Sequence, residues 1–348
     1  MRVLHLIASP FWSGPAESIA ELALAQRQLG CEVSIAVDTH RRDAPAEEDI
    51  HPQLERRGLL SPSGLVLSVK SWPLAWWRDA RRLARLNVDI VHAHFSHDAW
   101  LASLAKPAGA AVVRSIHSRR ALQGWLPKAA AFTVYAADAR SHLPRKVPSI
   151  VLPPLVSAAF QPPTDRSAQR QDLGIVGKPV IGMVSTFQPS RRHALGLAAF
   201  AQLSARHPDA RFVLVGDGAL AATLRRQVDA TGLSSHVTFA GYQTGERFVR
   251  WLQALDEVWI LGLGNDFAAR AAVQARACGV RVIGVHEGAL PDWADVTLDS
   301  PNVDLLVRAS NDKTRRALDL PCTDTVAREI IALYQKAKGL PADEEPGA

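Results

Sequence analysis

Between Val258 and Ile283 the chain has room for very few folds. An apolar strand, Val258, Trp259 and Ile260, runs into a loop at Gly264, and a helix of small residues follows as far as Cys278. Gly279 stops the helix, and a second apolar strand begins at Val280. Strand, helix and strand in this order make a βαβ unit. A helix that begins just past the carboxyl end of a strand turns its first N–H groups, and its positive dipole end, into the crevice where open parallel sheets bind anions. The polar residues of this stretch, Asp266 and Gln274, are therefore the first candidates for ligand contact.

At 348 residues the chain exceeds the usual size of one domain, and two α/β domains are the simplest division. The longer apolar runs, such as 194–201, fall far short of the roughly 18 residues that a membrane-spanning helix needs. Met1 and Arg2 lead straight into the strand 3–8, which leaves no room for an export signal and predicts a cytoplasmic protein. Cys31, Cys278 and Cys322 show neither paired spacing nor a metal pattern with histidine, in keeping with a reducing compartment. The net charge of +6 is arginine spread in small clusters, and it favours an anionic ligand or surface.

Taken in order, strand 3–8 is followed by Ser13, Gly14 and Pro15 and by an amphipathic helix through Ile19, Leu22, Ala23 and Leu29. Gly14 permits close approach of a ligand; with Pro15 it equally makes a plain strand-to-helix turn. From 39 to 63 the chain is polar, a loop with at most one short helix. The stretch 71–86 then sets Trp72, Trp76 and Trp77 among Arg78, Arg81, Arg82 and Arg85 at helical spacing. It reads either as an interfacial membrane helix or as a domain helix with its Trp/Leu side in the core. Trp76 and Trp77, being adjacent, cannot share one narrow stripe, which favours the core helix.

Strands 89–94 and 112–117 end in histidines. His92 and His94 read as structural, and His117, at a carboxyl end beside Arg119 and Arg120, as a ligand residue. Polar residues from 156 to 176 form an interdomain linker, after which a second strand-helix series makes the chain two similar α/β halves.

Together these stretches resemble the retaining GT-B glycosyltransferases of family 4, the glycosyl transferases group 1, from Met1 to about Tyr334. Asp266 and Gln274 stand at the two ends of what resembles the family's Glu, seven residues, Glu motif, and 274–283 resembles its "E-A-x-A-C-G-x-P-V-I". Both acids are altered, to Asp and Gln. Gly14 to Glu17 resembles "G-G-A-E" with one glycine kept, 89–94 resembles "D-V-V-H-A-H", and 149–160 resembles the hinge-entry segment "V-I-P-N-G-V-D-x-x-x-F" without its Asn, Gly and Asp. In "G-R-L-x-x-x-K-G", Arg191 falls at the Lys position and Thr186 replaces the Arg. The strand ending in Gly216, Asp217 and Gly218 resembles "L-x-I-V-G-D-G", and 288–292 resembles "G-G-L-P-E".

The resemblance implies an α/β GT-B fold, two Rossmann-like domains facing a central cleft. The first, 1–155, is the acceptor side; the second, 177–324, binds the nucleotide sugar; and a terminal helix, 325–338, crosses back to the first. It also implies roles. Arg191, with Arg192, Gly216 and the amides of Phe267, Ala268 and Ala269, would hold the donor diphosphate, and Gln274 the ribose. Leu290 would lie near the base, Asp266 and His117 at the sugar, and Gly14 beside the acceptor. Function follows as transfer of a sugar from a nucleotide donor to a lipid-linked, cell-surface polysaccharide or small-molecule acceptor, retaining, with no metal and no cofactor beyond the co-substrate. The alternative is a catalytically silent GT-B protein that binds a nucleotide sugar or a partner. Nucleic-acid binding lacks a base-reading motif. Membrane contact, if the 71–86 helix is interfacial, is peripheral and at the inner face.

Overall fold

Strands that are apolar on both faces are stable only between two helical layers, and the chain supplies two series of them. The computed structural model describes residues 1–39, 49–68, 73–123, 126–263, 268–320 and 322–340. It divides into two units, Met1–Leu155 with Leu320–Ala348, and Val156–Asp319.

In the first unit, β1 (Arg2–Ile7), β2 (Glu32–Val37), β3 (Ile90–Ala93), β4 (Ala111–Ile116), β5 (Ala131–Val134) and β6 (Ser149–Val151) form one parallel sheet in the order β2-β1-β3-β4-β5-β6. The helices are α1 (Gly14–Gln28), α2 (Ile50–Arg56), α3 (Pro73–Ala84) and α4 (Ser96–Ala105). Helix α1 starts where Ser13 is extended and Pro15 occupies the first turn, in which no N–H donor is needed. At the start of α4, Asp98 accepts from the N–H of Phe95 at 2.7 Å and of Ala8 at 3.2 Å, which ties this helix to the carboxyl end of β1.

In the second unit, β7 (Val180–Val184), β8 (Arg211–Val215), β9 (Val237–Gly241), β10 (Glu257–Ile260), β11 (Arg281–Val285) and β12 (Val296–Leu298) form a parallel sheet in the order β12-β11-β10-β7-β8-β9. With them run α5 (Arg166–Asp172), α6 (His193–Arg206), α7 (Ala221–Ala230), α8 (Gly245–Gln253), α9 (Arg270–Ala277), α10 (Leu290–Trp293) and α11 (Val303–Asn311). The stretch 156–176 holds α5 and belongs to this unit: Arg170 pairs with Asp256 at 2.8 Å, and Arg166 Nε donates to the Gln253 carbonyl at 2.9 Å. Its polarity, which reads as a linker, comes from side chains that pin α5 to the body behind it. Strand order reverses between β1 and β3 in the first sheet and between β7 and β10 in the second, and these reversal points are where open α/β sheets bind ligands.

The last helix, α12 (Thr323–Ala337), belongs to the first unit. Its buried residues Val326, Ala327, Ile330, Leu333 and Tyr334 recur at helical spacing and pack into one core with Ile19, Leu22 and Ala23 of α1. Each fully buried Leu or Ile here contributes ~1.5–3 kcal/mol by removal from water. Ile330→Ala leaves a cavity under α12 as well, and the expected loss is ~2–5 kcal/mol in chemical denaturation. A loss below ~1 kcal/mol would show that α12 is not part of this core.

Candidate functional site

In the second unit the loops after β7, β8 and β10 arrive at the same edge of the sheet. Leu263, past β10, donates its N–H to the Ser190 carbonyl, past β7, at 3.1 Å, so the loops on the two sides of the reversal point are joined. Gly216, just past β8, has φ +144, and a Cβ there would fall 2.0 Å from the Ser185 carbonyl oxygen. No other residue permits this approach between the ends of β7 and β8.

Arg191 closes the 3-10 turn Pro189–Arg191, half-buried, and Arg192 holds a left-handed backbone, φ 57, at the start of α6. The turn thus carries two guanidinium groups to the edge of the sheet. Thr186, at the position of the missing arginine, is exposed. The next residue, His193, is buried, with Nε2 3.2 Å from Ser185 Oγ. Burial, and then the charge of Arg191, push its pKa down to about 4.

Helix α9 begins at Arg270, preceded by half-buried Ala268 and by buried Ala269 at φ 51. Gln274, one turn into the helix, is only 1% exposed, and its Oε1 accepts no hydrogen bond among the described residues. A buried amide oxygen with no donor is costly unless a ligand supplies one. Leu290 is fully buried beneath β11, against Gly284, so its side chain fills core. Asp266 and Phe267 lie outside the described residues.

In the first unit the carboxyl end of the sheet collects four imidazoles. His5 of β1 and His92 of β3 face each other in register, His94 follows β3, and His117 follows β4. His94 bridges two of them: its Nε2 is 2.9 Å from His5 Nδ1, and its Nδ1 is 3.2 Å from His117 Nε2. His5 reaches Gln26 of α1 at 2.9 Å, and His92 reaches Tyr334 of α12 at 2.6 Å and Ser115 at 2.8 Å. The ring nitrogens of His5, His92 and His94 come within 4.8 Å of one another, close enough to suggest a metal. Every one of them is engaged in a hydrogen bond, so the cluster is a hydrogen-bond network. Gly14, at the first turn of α1, lies past the end of β1.

Burial holds His5 and His117 at about 4, and burial with neighbouring imidazoles holds His92 and His94 well below the usual histidine range. His92 and His94 are the structural residues that the sequence suggests. His5, Gln26, Tyr334 and His193 were not singled out from the sequence. The one available signal was a polar residue inside an otherwise apolar strand or helix face, as with His5 in β1. A groove of about 420 Å³ lined by Lys106, Lys128 and Lys338 lies at the opposite edge, where β4 and β5 begin, and contains none of these residues.

The surface of α3 divides its tryptophans. Trp76 packs partly buried against the core cluster that contains Leu83 and Val91, while Trp77 is 50% exposed beneath the Arg81 guanidinium, 3.7 Å from its ring centre. Leu74 on the same helix, and Trp100 and Leu104 on neighbouring α4, are exposed as well. The core reading holds for Trp76 but not for Trp77, and Trp72 lies outside the described residues.

Two parallel, doubly wound sheets in series, each with its ligand-type loops at a reversal point, are the architecture of the GT-B glycosyltransferases. The chain belongs to glycosyltransferase family 4: the model of that name matches residues 12–153, and the model for glycosyl transferases group 1 matches 165–295. A GDP-mannose-dependent monoacylated alpha-(1-6)-phosphatidylinositol monomannoside mannosyltransferase of Corynebacterium glutamicum is 32% identical over 44% of each chain. A D-inositol 3-phosphate glycosyltransferase of Jonesia denitrificans is 28% identical over 59% of this chain and 54% of its own. The chain thus spans about half the length of the curated relatives it matches. The Anabaena protein HepE, solved with UDP-glucose, superposes with a TM-score of 0.73 at 16% identity over 97% of this chain and 98% of that one. AviGT4, a glycosyltransferase of avilamycin A biosynthesis, gives 0.61 at 18% identity over 97% and 98%.

The histidine cluster predicts a pH dependence. Unfolded, these residues titrate near ~6.5; folded, they stay neutral to much lower pH, so below ~6.5 the unfolded chain binds more protons. Stability is therefore fully present above ~pH 6.5 and is lost as pH falls toward 4. Thermal unfolding at pH 7.5, 6 and 5 should show a falling midpoint, and a midpoint that does not move would contradict the neutral network.

Proposed function

We propose that the protein is a glycosyltransferase that moves a sugar from a nucleotide-sugar donor to a lipid-linked, cell-surface polysaccharide or small-molecule acceptor, with retention and without a metal. The observation that carries the reading is the buried Gln274 amide at the reversal point of the second sheet, in the turn after Ala269, whose oxygen meets no donor among the described residues. Names of relatives and structural neighbours support the donor class, GDP-mannose in one case and UDP-glucose in another.

In this reading, charge that develops on the leaving diphosphate is stabilised by Arg191 and by the amides of Phe267, Ala268 and Ala269 ahead of α9. Arg192 adds a second cation, and Gly216 lets the ends of β7 and β8 close on each other beside the phosphate. Gln274 bonds the ribose, Asp266 holds sugar hydroxyls, and His117 contacts the sugar. The exchange of a carboxylate for the Gln274 amide weakens the ribose bond by roughly 1 kcal/mol, up to about tenfold in affinity. The lost arginine at Thr186 removes charge as well. These two changes motivate the second reading, a silent GT-B protein, which binding without turnover across a donor panel would select over the first.

Calorimetry with GDP-mannose and UDP-glucose tests the site. Gln274→Glu restores a charged acceptor and should tighten binding of the preferred donor by up to about tenfold. Asp266→Ala should weaken the nucleotide sugar while leaving the bare nucleoside diphosphate nearly unchanged. If neither substitution alters binding of any donor, this edge is not a donor site.

Acceptors that are lipids require access to a bilayer, and no helix among the described residues is long and apolar enough to cross one. Exposed Leu74 and Trp77, with Arg78, Arg81, Arg82 and Arg85 also exposed, suit α3 to an anionic surface. Trp77→Ser should reduce sedimentation with vesicles containing anionic phospholipid and leave the unfolding midpoint unchanged. Equal binding by the variant would exclude α3 as the contact.

A further inference from the structure

The buried polar groups of the first unit are joined end to end. Gln26 turns its Oε1 toward His5 Nε2 at 2.9 Å and its Nε2 toward the Tyr334 hydroxyl at 3.1 Å. That orientation dictates every other proton in the series. His5 must donate from Nε2, which leaves Nδ1 to accept from His94 Nε2; His94 then accepts at Nδ1 from His117 Nε2. On the other arm, Tyr334 accepts from Gln26 and so donates to His92 Nδ1 at 2.6 Å. His92 donates from Nε2 to Ser115 at 2.8 Å, and Ser115 to Thr133 at 2.6 Å.

Seven hydrogen bonds thus run one way, from His117 to Thr133, with each neutral imidazole in a single tautomer. Only one other arrangement satisfies them all. It is reached by turning the Gln26 amide over, and it reverses every bond. The nitrogen left over is His117 Nδ1, which has no partner among the described residues, and its character depends on the direction of the series. In the direction that the Gln26 orientation gives it is a bare acceptor; in the reverse direction it is an N–H donor.

We propose that Gln26 and Tyr334 are positioning residues that fix the tautomer of His117, so that its Nδ1 accepts a hydrogen bond from a hydroxyl of the bound donor sugar. The inference rests on the reading of His117 as a sugar contact. Tyr334 is suited to the task because α12 packs along α1 and brings the phenol, fully buried, to the one point where both arms meet. Its hydroxyl accepts from one arm and donates to the other, so loss of the oxygen frees the Gln26 amide to turn.

The first measurement needs no ligand. Long-range proton–nitrogen correlation of the histidine rings should show His117 in wild type as a single neutral tautomer, protonated at Nε2. Tyr334→Phe, and independently Gln26→Leu, should each convert it into a mixture. An unchanged tautomer in both variants, each confirmed folded by its unfolding midpoint, overturns the proposal, as does a wild-type His117 protonated at Nδ1.

The second measurement is a cycle on dissociation constants for GDP-mannose and UDP-glucose. Tyr334→Phe should weaken the preferred donor several-fold in the wild-type background and have no effect in the His117→Ala background. An equal loss in both backgrounds means that Tyr334 acts through general packing, and the proposal falls. If His117→Ala itself changes no affinity, it is the sugar-contact reading that fails, and the two failures are distinguishable because the tautomer result does not depend on a donor.

Discussion

In a parallel sheet every strand points the same way, so every loop that follows a strand is delivered to one edge. That constraint organises this protein twice. Residues as distant as Ser190 and Leu263 become hydrogen-bonded neighbours because β7 and β10 pair in parallel where the strand order reverses. The same geometry brings His94, after β3, to His117, after β4. Nothing in either loop needs intrinsic affinity for the other.

The two edges are chemically different. The second unit presents guanidinium groups, a glycine that lets backbone approach backbone, and a helix start, which together suit an anion. The first presents neutral imidazoles, since four rings packed together under an apolar sheet cannot all hold protons. A neutral imidazole presents one donor and one acceptor, which suits the recognition of hydroxyl groups better than the neutralisation of phosphate.

Buried polar groups are tolerated only when they are paired, and the unpaired ones are informative for that reason. In the first unit the imidazoles, Gln26, Tyr334, Ser115 and Thr133 satisfy one another almost completely. In the second, Gln274 keeps an unmet acceptor, and His193 an unbonded Nδ1 among the described residues. The first pattern holds a structure in place, and the second leaves capacity for a ligand.

Apolar strand runs, glycine stops and helical spacing determined the two α/β halves, and the family motifs fixed the order of the loops; these features are local, and a stretch of about ten residues carries each of them. The residue types at Arg191, Gln274 and His117 were legible for the same reason. The partner of a side chain is another matter. Gln26 and Tyr334 are 308 positions apart, and neither helix encodes the other's angle or register. The polar segment 156–176 reads as a linker because composition reports solvation but not whom the charges pair with, and Arg170 finds Asp256 only in the folded unit. Adjacent Trp76 and Trp77 likewise look equivalent in sequence, and only the packing of α3 on its neighbours sends one ring inward and leaves the other in solvent. Periodicity specifies which face of an element is buried; the tertiary structure decides what meets that face, and in this protein those meetings set the tautomer, charge and exposure of the candidate residues.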